Sequence, residues 1–121
     1  MSKKILTVDD SASVRQMVSM TLSAAGYEVV EAKDGMEGFQ KATTTPLHCI
    51  LTDLNMPVLN GIEFIRKFRS HPSSKGVPIL LLTTETDEGL KKQAKDAGAI
   101  GWIVKPFKPD QLLATIRKVA G

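Results

Sequence analysis

Cys49-Ile50-Leu51-Thr52-Asp53-Leu54-Asn55-Met56-Pro57 is a short apolar run that stops at a carboxylate and then turns. Its length, its aliphatic and β-branched residues and the Asn-Met-Pro that follows predict a buried parallel strand carrying Asp53 at its C-terminal edge. In an open α/β sheet that edge is where ligands bind. Asp53 is therefore the first candidate for chemistry, and the other residues are weighed by whether they converge on it.

Outward from this strand, strands and helices alternate in both directions. On the N-terminal side, Ile5 to Val8 reads as a buried strand ending at Asp9-Asp10. Val14, Met17, Val18, Thr21 and Leu22 then fall on one helical face as far as the stop at Gly26. Tyr27 to Glu31 is a second strand, and Asp34 with Glu37 has the spacing of a capping box. The helix it opens fades through Thr43-Thr44-Thr45 before Pro46. On the C-terminal side, Asn60 with Glu63 repeats that spacing ahead of a helix whose Phe64, Ile65 and Phe68 face inward, ending before the His71-to-Gly76 loop. Val77 to Leu82, the most apolar run, belongs inside the sheet and ends at Thr83. A helix from about Asp87 to Ala97 offers only Leu90, Ala94 and Ala97 to the core and carries Gly89 early, so it is the least firmly held. Ile100 to Val104 is the last strand and ends at Lys105. Pro109 then opens a final helix with Leu112, Leu113, Ile116 and Val119 as its stripe. Five strands alternating with five helices imply a doubly wound α/β parallel sheet, with helices on both faces and right-handed crossovers.

Composition bounds the function. At 121 residues the chain is one domain, residues 1–121, without repeat or linker. No apolar run approaches the ~20 residues of a membrane span. Met1-Ser2-Lys3-Lys4 leads directly into a strand rather than a signal-peptide apolar region, so the expected location is cytoplasmic. The single Cys49 reads as a small core residue in a reducing compartment. A net charge of +3 raises nucleic acid as a partner. However, Arg66, Lys67, Arg69, Lys91, Lys92, Lys95, Arg117 and Lys118 are spread over several helices and lack interleaved aromatics. They read as solvated surface, or as a mildly basic docking face for an acidic protein.

Four of the five strands end in side chains with chemistry: Asp9 and Asp10, Asp53, Thr83, and Lys105. Singly, the aspartates read as helix caps, the threonine as a strand-end hydroxyl and the lysine as surface. Parallel strands place all four ends on one edge, and that convergence carries the argument. Carboxylates crowded there need a proton or a cation, and oxygen ligands with room for waters and a phosphate favour Mg²⁺. Lys105 suits a phosphoryl oxygen and Thr83 adds a neutral donor. Together they describe phosphoryl transfer to Asp53, giving an acyl phosphate.

Val8-Asp9-Asp10, Asp53-Leu54-Asn55-Met56-Pro57 with Asn60-Gly61, Leu82-Thr83 and Lys105-Pro106-Phe107 resemble, over essentially the whole chain, the response-regulator receiver domain and in particular its stand-alone chemotaxis members. The resemblance implies a flavodoxin-like (βα)5 fold of strand order 2-1-3-4-5. It implies a phosphoryl group accepted on Asp53 from a histidine kinase, and Mg²⁺ held by Asp9, Asp10, Asp53 and the Asn55 carbonyl. Lys105 and Thr83 would lie on the phosphoryl group, and the Lys105–Pro106 bond would be cis. It implies Mg²⁺-dependent self-phosphorylation and self-dephosphorylation rather than conventional turnover, by a monomer without an output domain after Gly121. A flagellar motor switch protein is the target the family leads one to expect, with a phosphatase as a further partner. The alternative role is that of a phosphorelay intermediate or phosphate sink.

Departures from the family pattern sharpen this. Trp102 stands where relatives carry Tyr, Phe or His, and Thr84 where they carry Ala or Gly. Asn55 and Glu85 occupy the positions that tune dephosphorylation. Trp102 and Lys105, an odd number of residues apart, should point to opposite faces, with Trp102 toward the Asp87–Ala97 helix and the final helix. Trp102 is thus the candidate for a switch aromatic that answers Thr83, the alternative being a fixed core tryptophan whose indole N–H needs a partner. Two rival classes fare worse. A haloacid-dehalogenase-like phosphatase would need a second carboxylate where Asn55 stands, and the acidic Asp9-Asp10-Ser11 turn would repel the phosphate of a flavodoxin-like mononucleotide binder.

Overall fold

The computed structural model describes residues 3–120, so Met1, Ser2 and Gly121, and with them the start of the N-terminal reading and the end of the 1–121 domain, lie outside the described residues. The chain runs β1 (Lys4–Val8), α1 (Ala12–Ala24), β2 (Glu28–Ala32), α2 (Gly35–Thr44), β3 (Cys49–Thr52), α3 (Gly61–Arg69), β4 (Ile79–Thr83), α4 (Glu88–Ala97), β5 (Gly101–Val104) and α5 (Pro109–Ala120). The sheet order is β2-β1-β3-β4-β5 and every pairing is parallel. No helix among the described residues is long and apolar enough to cross a membrane.

Strand alternation divides the core into two layers. Leu6, Ile50, Ile79 and Leu81 pack with Phe64, Ile65 and Phe68 of α3 on one face. Ile5, Cys49, Leu51, Leu80 and Leu82 pack with Leu22 of α1 and Leu112 and Ile116 of α5 on the other. Phe64 and Phe68 stack with centroids 6.2 Å apart, and each such ring contributes roughly 1.5–3 kcal/mol by leaving water. Cys49 is fully buried, and burial pushes its thiol up to about 12, so it is an inert core residue as its sequence context predicts. Ala94 is the one buried residue of α4, which accords with a weakly held helix.

Local chemistry explains where boundaries differ from the periodicity. β2 starts one residue late because Tyr27 N–H is taken by the Leu22 carbonyl (3.1 Å), closing α1 over Gly26 at φ +95°. Met17 is 52% exposed rather than inward, because the buried stripe of α1 narrows to Val18 and Leu22. Asn60 and Glu63 form a full reciprocal capping box (2.9 and 3.0 Å). At α2 the Glu37 carboxylate reaches one residue further, to Lys33 N–H (2.7 Å). The His71–Gly76 loop contains a single 3-10 turn at Pro72–Ser74.

Candidate functional site

β1, β3 and β5 deliver their ends to one edge of the sheet. Asp53 follows β3, and its N–H continues the ladder to the Val8 carbonyl (2.8 Å). Its Oδ1 accepts the Leu54 N–H (2.8 Å), which leaves Oδ2 facing Lys105 Nζ at 3.3 Å. Asp9 follows β1. Its Oδ1 accepts the Ser11 N–H (2.9 Å) and its Oδ2 lies 2.7 Å from Lys105 Nζ. Asp10 is exposed beside them, and one carboxylate oxygen from each of Asp9, Asp10 and Asp53 lies within 4.8 Å of the others. Lys105 is fixed at its backbone by an N–H to the Thr83 carbonyl (2.8 Å), and the Lys105–Pro106 bond is cis as expected.

Electrostatics follow from this crowding. Burial first, and then the Asp9 charge, push the Asp53 carboxyl above its ordinary value. Lys105 and the Leu54 N–H oppose that rise without cancelling it. Three carboxylates against one ammonium leave an excess of negative charge on hard oxygen donors, which is the donor set a small divalent cation takes.

Thr83 is fully buried, and its hydroxyl accepts the Glu85 N–H (3.2 Å). The Glu85 carbonyl in turn accepts the Trp102 indole N–H (2.9 Å), so the backbone of one residue links the hydroxyl to the tryptophan. Trp102 is half-buried against the α3–α4 side of the core and lines, with Lys91, Ala94, Lys95 and Ile100, a cleft of about 440 Å³. Lys91 Nζ lies 5.8 Å from its ring centroid. The expectation that Trp102 also faces the final helix is corrected: alternation turns its neighbour Ile103 toward α5, on the opposite face of the sheet. Asn55 and Thr84 are exposed and Glu85 is half-buried.

Sequence reading missed two residues that shape the site. Arg15 donates to the Asp9 carbonyl (2.6 Å) and pairs with Glu31 (3.3 Å), steadying the β1–α1 turn. Gly61 packs so closely on β3's end that a Cβ there would collide with the Asp53 carbonyl oxygen and Leu54 Cα. Its signal was the Asn60-Gly61 pair. Arg15 had none, because its partner is a backbone carbonyl.

A family model described as the response regulator receiver domain matches residues 5–117. The chemotaxis protein CheY1 of Helicobacter pylori is 39% identical over 98% of this chain and 97% of its own length. Among solved structures, the chemotaxis protein CheY4 of Vibrio cholerae superposes with a TM-score of 0.94 at 50% identity, covering 98% of this chain and 99% of that one. The receiver domain of the sensor histidine kinase PA1611 from Pseudomonas aeruginosa PAO1, described with a magnesium ion coordinated in its active site cleft, gives 0.92 at 28% identity, covering 100% of this chain and 99% of that one.

Proposed function

This chain belongs to the response-regulator receiver domain family, and we propose that it is the phosphorylation-activated switch of its two-component system, with Asp53 as phosphoryl acceptor. The observation that carries this is the placement of Lys105 Nζ between Asp9 and Asp53, 2.7 and 3.3 Å away, at the mouth of a three-carboxylate cluster. Because Oδ1 of Asp53 is engaged by Leu54 N–H, Oδ2 is the attacking oxygen. It forms the new O–P bond as the N–P bond of a histidine kinase's phosphohistidine breaks, and the freed imidazole leaves with the electron pair. Lys105 then follows the negative charge onto the phosphoryl oxygens, and Thr83 turns its hydroxyl toward the same group.

Asp9, Asp10, Asp53 and the Asn55 carbonyl would hold Mg²⁺, which when bound supplies charge that offsets the crowded carboxylates and the phosphoryl oxygens. The magnesium reported for the PA1611 receiver domain supports that assignment. We assign to Asn55, Thr84 and Glu85, of which the first two are exposed and the third half-buried, the setting of how readily water, alone or with a phosphatase, reaches the acyl phosphate. Turning the Thr83 hydroxyl away removes the acceptor of the Glu85 N–H, and the Glu85 carbonyl passes that change to Trp102. The signal leaves by protein contact on the α4–β5 flank of a cytoplasmic monomer. Likeness to the chemotaxis proteins CheY1 and CheY4 supports a role in chemotaxis, and the switch protein of the flagellar motor is the target we propose.

Intact-mass spectrometry with a small phosphodonor and Mg²⁺ tests the acceptor. One phosphoryl group is expected on the wild type and none on Asp53→Asn. A label that survives that substitution places the nucleophile elsewhere.

A further inference from the structure

Asp9 and Asp10 are neighbours at the end of β1, yet only one of them is held by its side chain. Oδ1 of Asp9 accepts the Ser11 N–H (2.9 Å) and Oδ2 faces the Lys105 ammonium (2.7 Å). Asp10 is exposed, and no ion pair engages its carboxylate among the described residues. A carboxylate without a partner goes where its backbone sends it. What directs it is the peptide group it shares with Asp9. That group is planar, so fixing the Asp9 carbonyl fixes the direction in which the chain enters Asp10.

The carbonyl is gripped from outside the site. Arg15, in the first turns of α1, donates from Nη1 to the Asp9 carbonyl at 2.6 Å. Its Nε pairs with Glu31 Oε1 at 3.3 Å. Glu31 precedes Ala32, whose carbonyl accepts the Asp9 N–H (3.0 Å). The end of β2 therefore holds Asp9 on both sides, at its N–H directly and at its carbonyl through Arg15. The Arg15 side chain is 18% exposed and Glu31's is 47%, and an ion pair this open to water contributes little to stability by itself. Its charge has a separate consequence. An unpaired guanidinium on the Asp9 backbone would repel a divalent cation nearby, and the Glu31 carboxylate offsets that repulsion.

We propose that Arg15 and Glu31 form a charge-neutral clamp that aims the Asp10 carboxylate: Arg15 is a positioning residue for the divalent cation, and Glu31 is the counter-charge that keeps the guanidinium from repelling it. This rests on the Mg²⁺ site proposed above. Groups that orient metal ligands without touching the metal change its affinity by about 10–100-fold when they are removed.

Arg15→Met combined with Glu31→Gln removes the clamp and leaves the net charge of the pair unchanged. In a titration with MgCl2 followed by the backbone amide NMR signals of residues 9–11, this double variant should bind about tenfold more weakly than wild type. Labelling of Asp53 by acetyl phosphate should reach the wild-type rate at saturating Mg²⁺, with half-saturation shifted by the same factor. A lowered plateau with unshifted half-saturation would mean that the pair only supports the fold, and overturns the clamp. Because the clamp acts through Asp10, adding the same two changes to Asp10→Asn should weaken binding by less than about twofold further. Glu31→Gln alone keeps the bond to the carbonyl. It should lose about threefold in affinity at low salt and recover wild-type affinity near about 1 M salt, where the Debye length is about 3 Å, and it decides the question if the double variant does not fold. Wild-type affinity in the folded double variant, or in Glu31→Gln at low salt, overturns the proposal, as does a full tenfold loss on top of Asp10→Asn. A wild type that binds no Mg²⁺ instead overturns the cation site itself.

Discussion

Replacing Lys105 by methionine keeps most of the side chain's volume and removes the ammonium that Asp9 and Asp53 share. The Lys105 side chain is 14% exposed, Asp53's is 10% and Asp9's 2%, so solvent screens these pairs poorly. Removing one partner of a buried ion pair costs ~3–5 kcal/mol, and the open side of the pocket near Asp10 argues for the lower end, about 3 kcal/mol. For a domain of this size that lowers the melting temperature by about 12 °C in metal-free buffer at pH 7. The sign with pH is fixed by Asp53. Its carboxyl already lies above the ordinary range, and loss of the ammonium that holds it down raises it further. A raised carboxyl destabilises the fold only where the unfolded chain is ionised, so the loss grows as pH rises above the ordinary carboxylate value of about 4 and fades below it. Mg²⁺ no longer competes with the ammonium for Asp53 and Asp9. It should therefore bind Lys105→Met more tightly and stabilise it more than the wild type, the total stabilisation of the variant reaching ~2.7 kcal/mol at a hundredfold excess over its Kd. Thermal unfolding followed by circular dichroism, at about pH 4 and pH 7 with and without Mg²⁺, reads all three effects. An equal loss at both pH values, with the same Mg²⁺ increment in both proteins, would refute the charge argument and leave only the packing of the lysine stem.

Asp10→Asn should weaken Mg²⁺ binding by about tenfold in calorimetry, while metal-free stability changes by less than ~0.5 kcal/mol because Asp10 is exposed. Gly61→Ala drives a methyl group into the Asp53 carbonyl, so the β3–α3 loop must shift. We expect ~3 kcal/mol of destabilisation in urea unfolding together with slower labelling of Asp53 by a small phosphodonor, and a stable variant with normal labelling would contradict that contact. Thr83→Ala removes the acceptor of the Glu85 N–H but no group that attacks phosphorus. It should still be phosphorylated, with a much smaller change in Trp102 fluorescence than the wild type, and identical spectral changes in the two proteins would detach Trp102 from the switch.

The fold was legible because four of the five strands are largely apolar runs closed by a polar residue, β2 (Glu28–Ala32) being the exception, and because helix starts such as Asn60 with Glu63 carry their own signal. Convergence at the site was legible for the same reason: in a parallel sheet Asp9, Asp53 and Lys105 share an edge whatever their separation in sequence. What stayed hidden depends on backbone partners, which leave no mark in side-chain identity. Arg15 reaches a carbonyl, and the Trp102 indole reaches the carbonyl of Glu85. The flank of Trp102 was half legible, since alternation gives the face but not which helix covers it.

Arg69 donates to the Ser74 carbonyl (2.8 Å) and to the Gly98 carbonyl (2.9 Å), so the residue that ends α3 also grips the residue that caps α4. Gly98, at φ +123°, lies so close to the guanidinium stem that a Cβ there would strike it. The C-terminal end of α4 is therefore pinned through Arg69, while its N-terminal end follows the Glu85 segment by only a few residues. Ten residues of helix span about 15 Å, so a shift of about 1 Å at the first turn becomes a tilt of roughly 4° about a nearly stationary Gly98. On the switch proposed above, displacement would be graded along the helix, largest at Glu88 and Lys91 and smallest beside Ala97, and a partner reading that switch would gain most by gripping the Glu88 end.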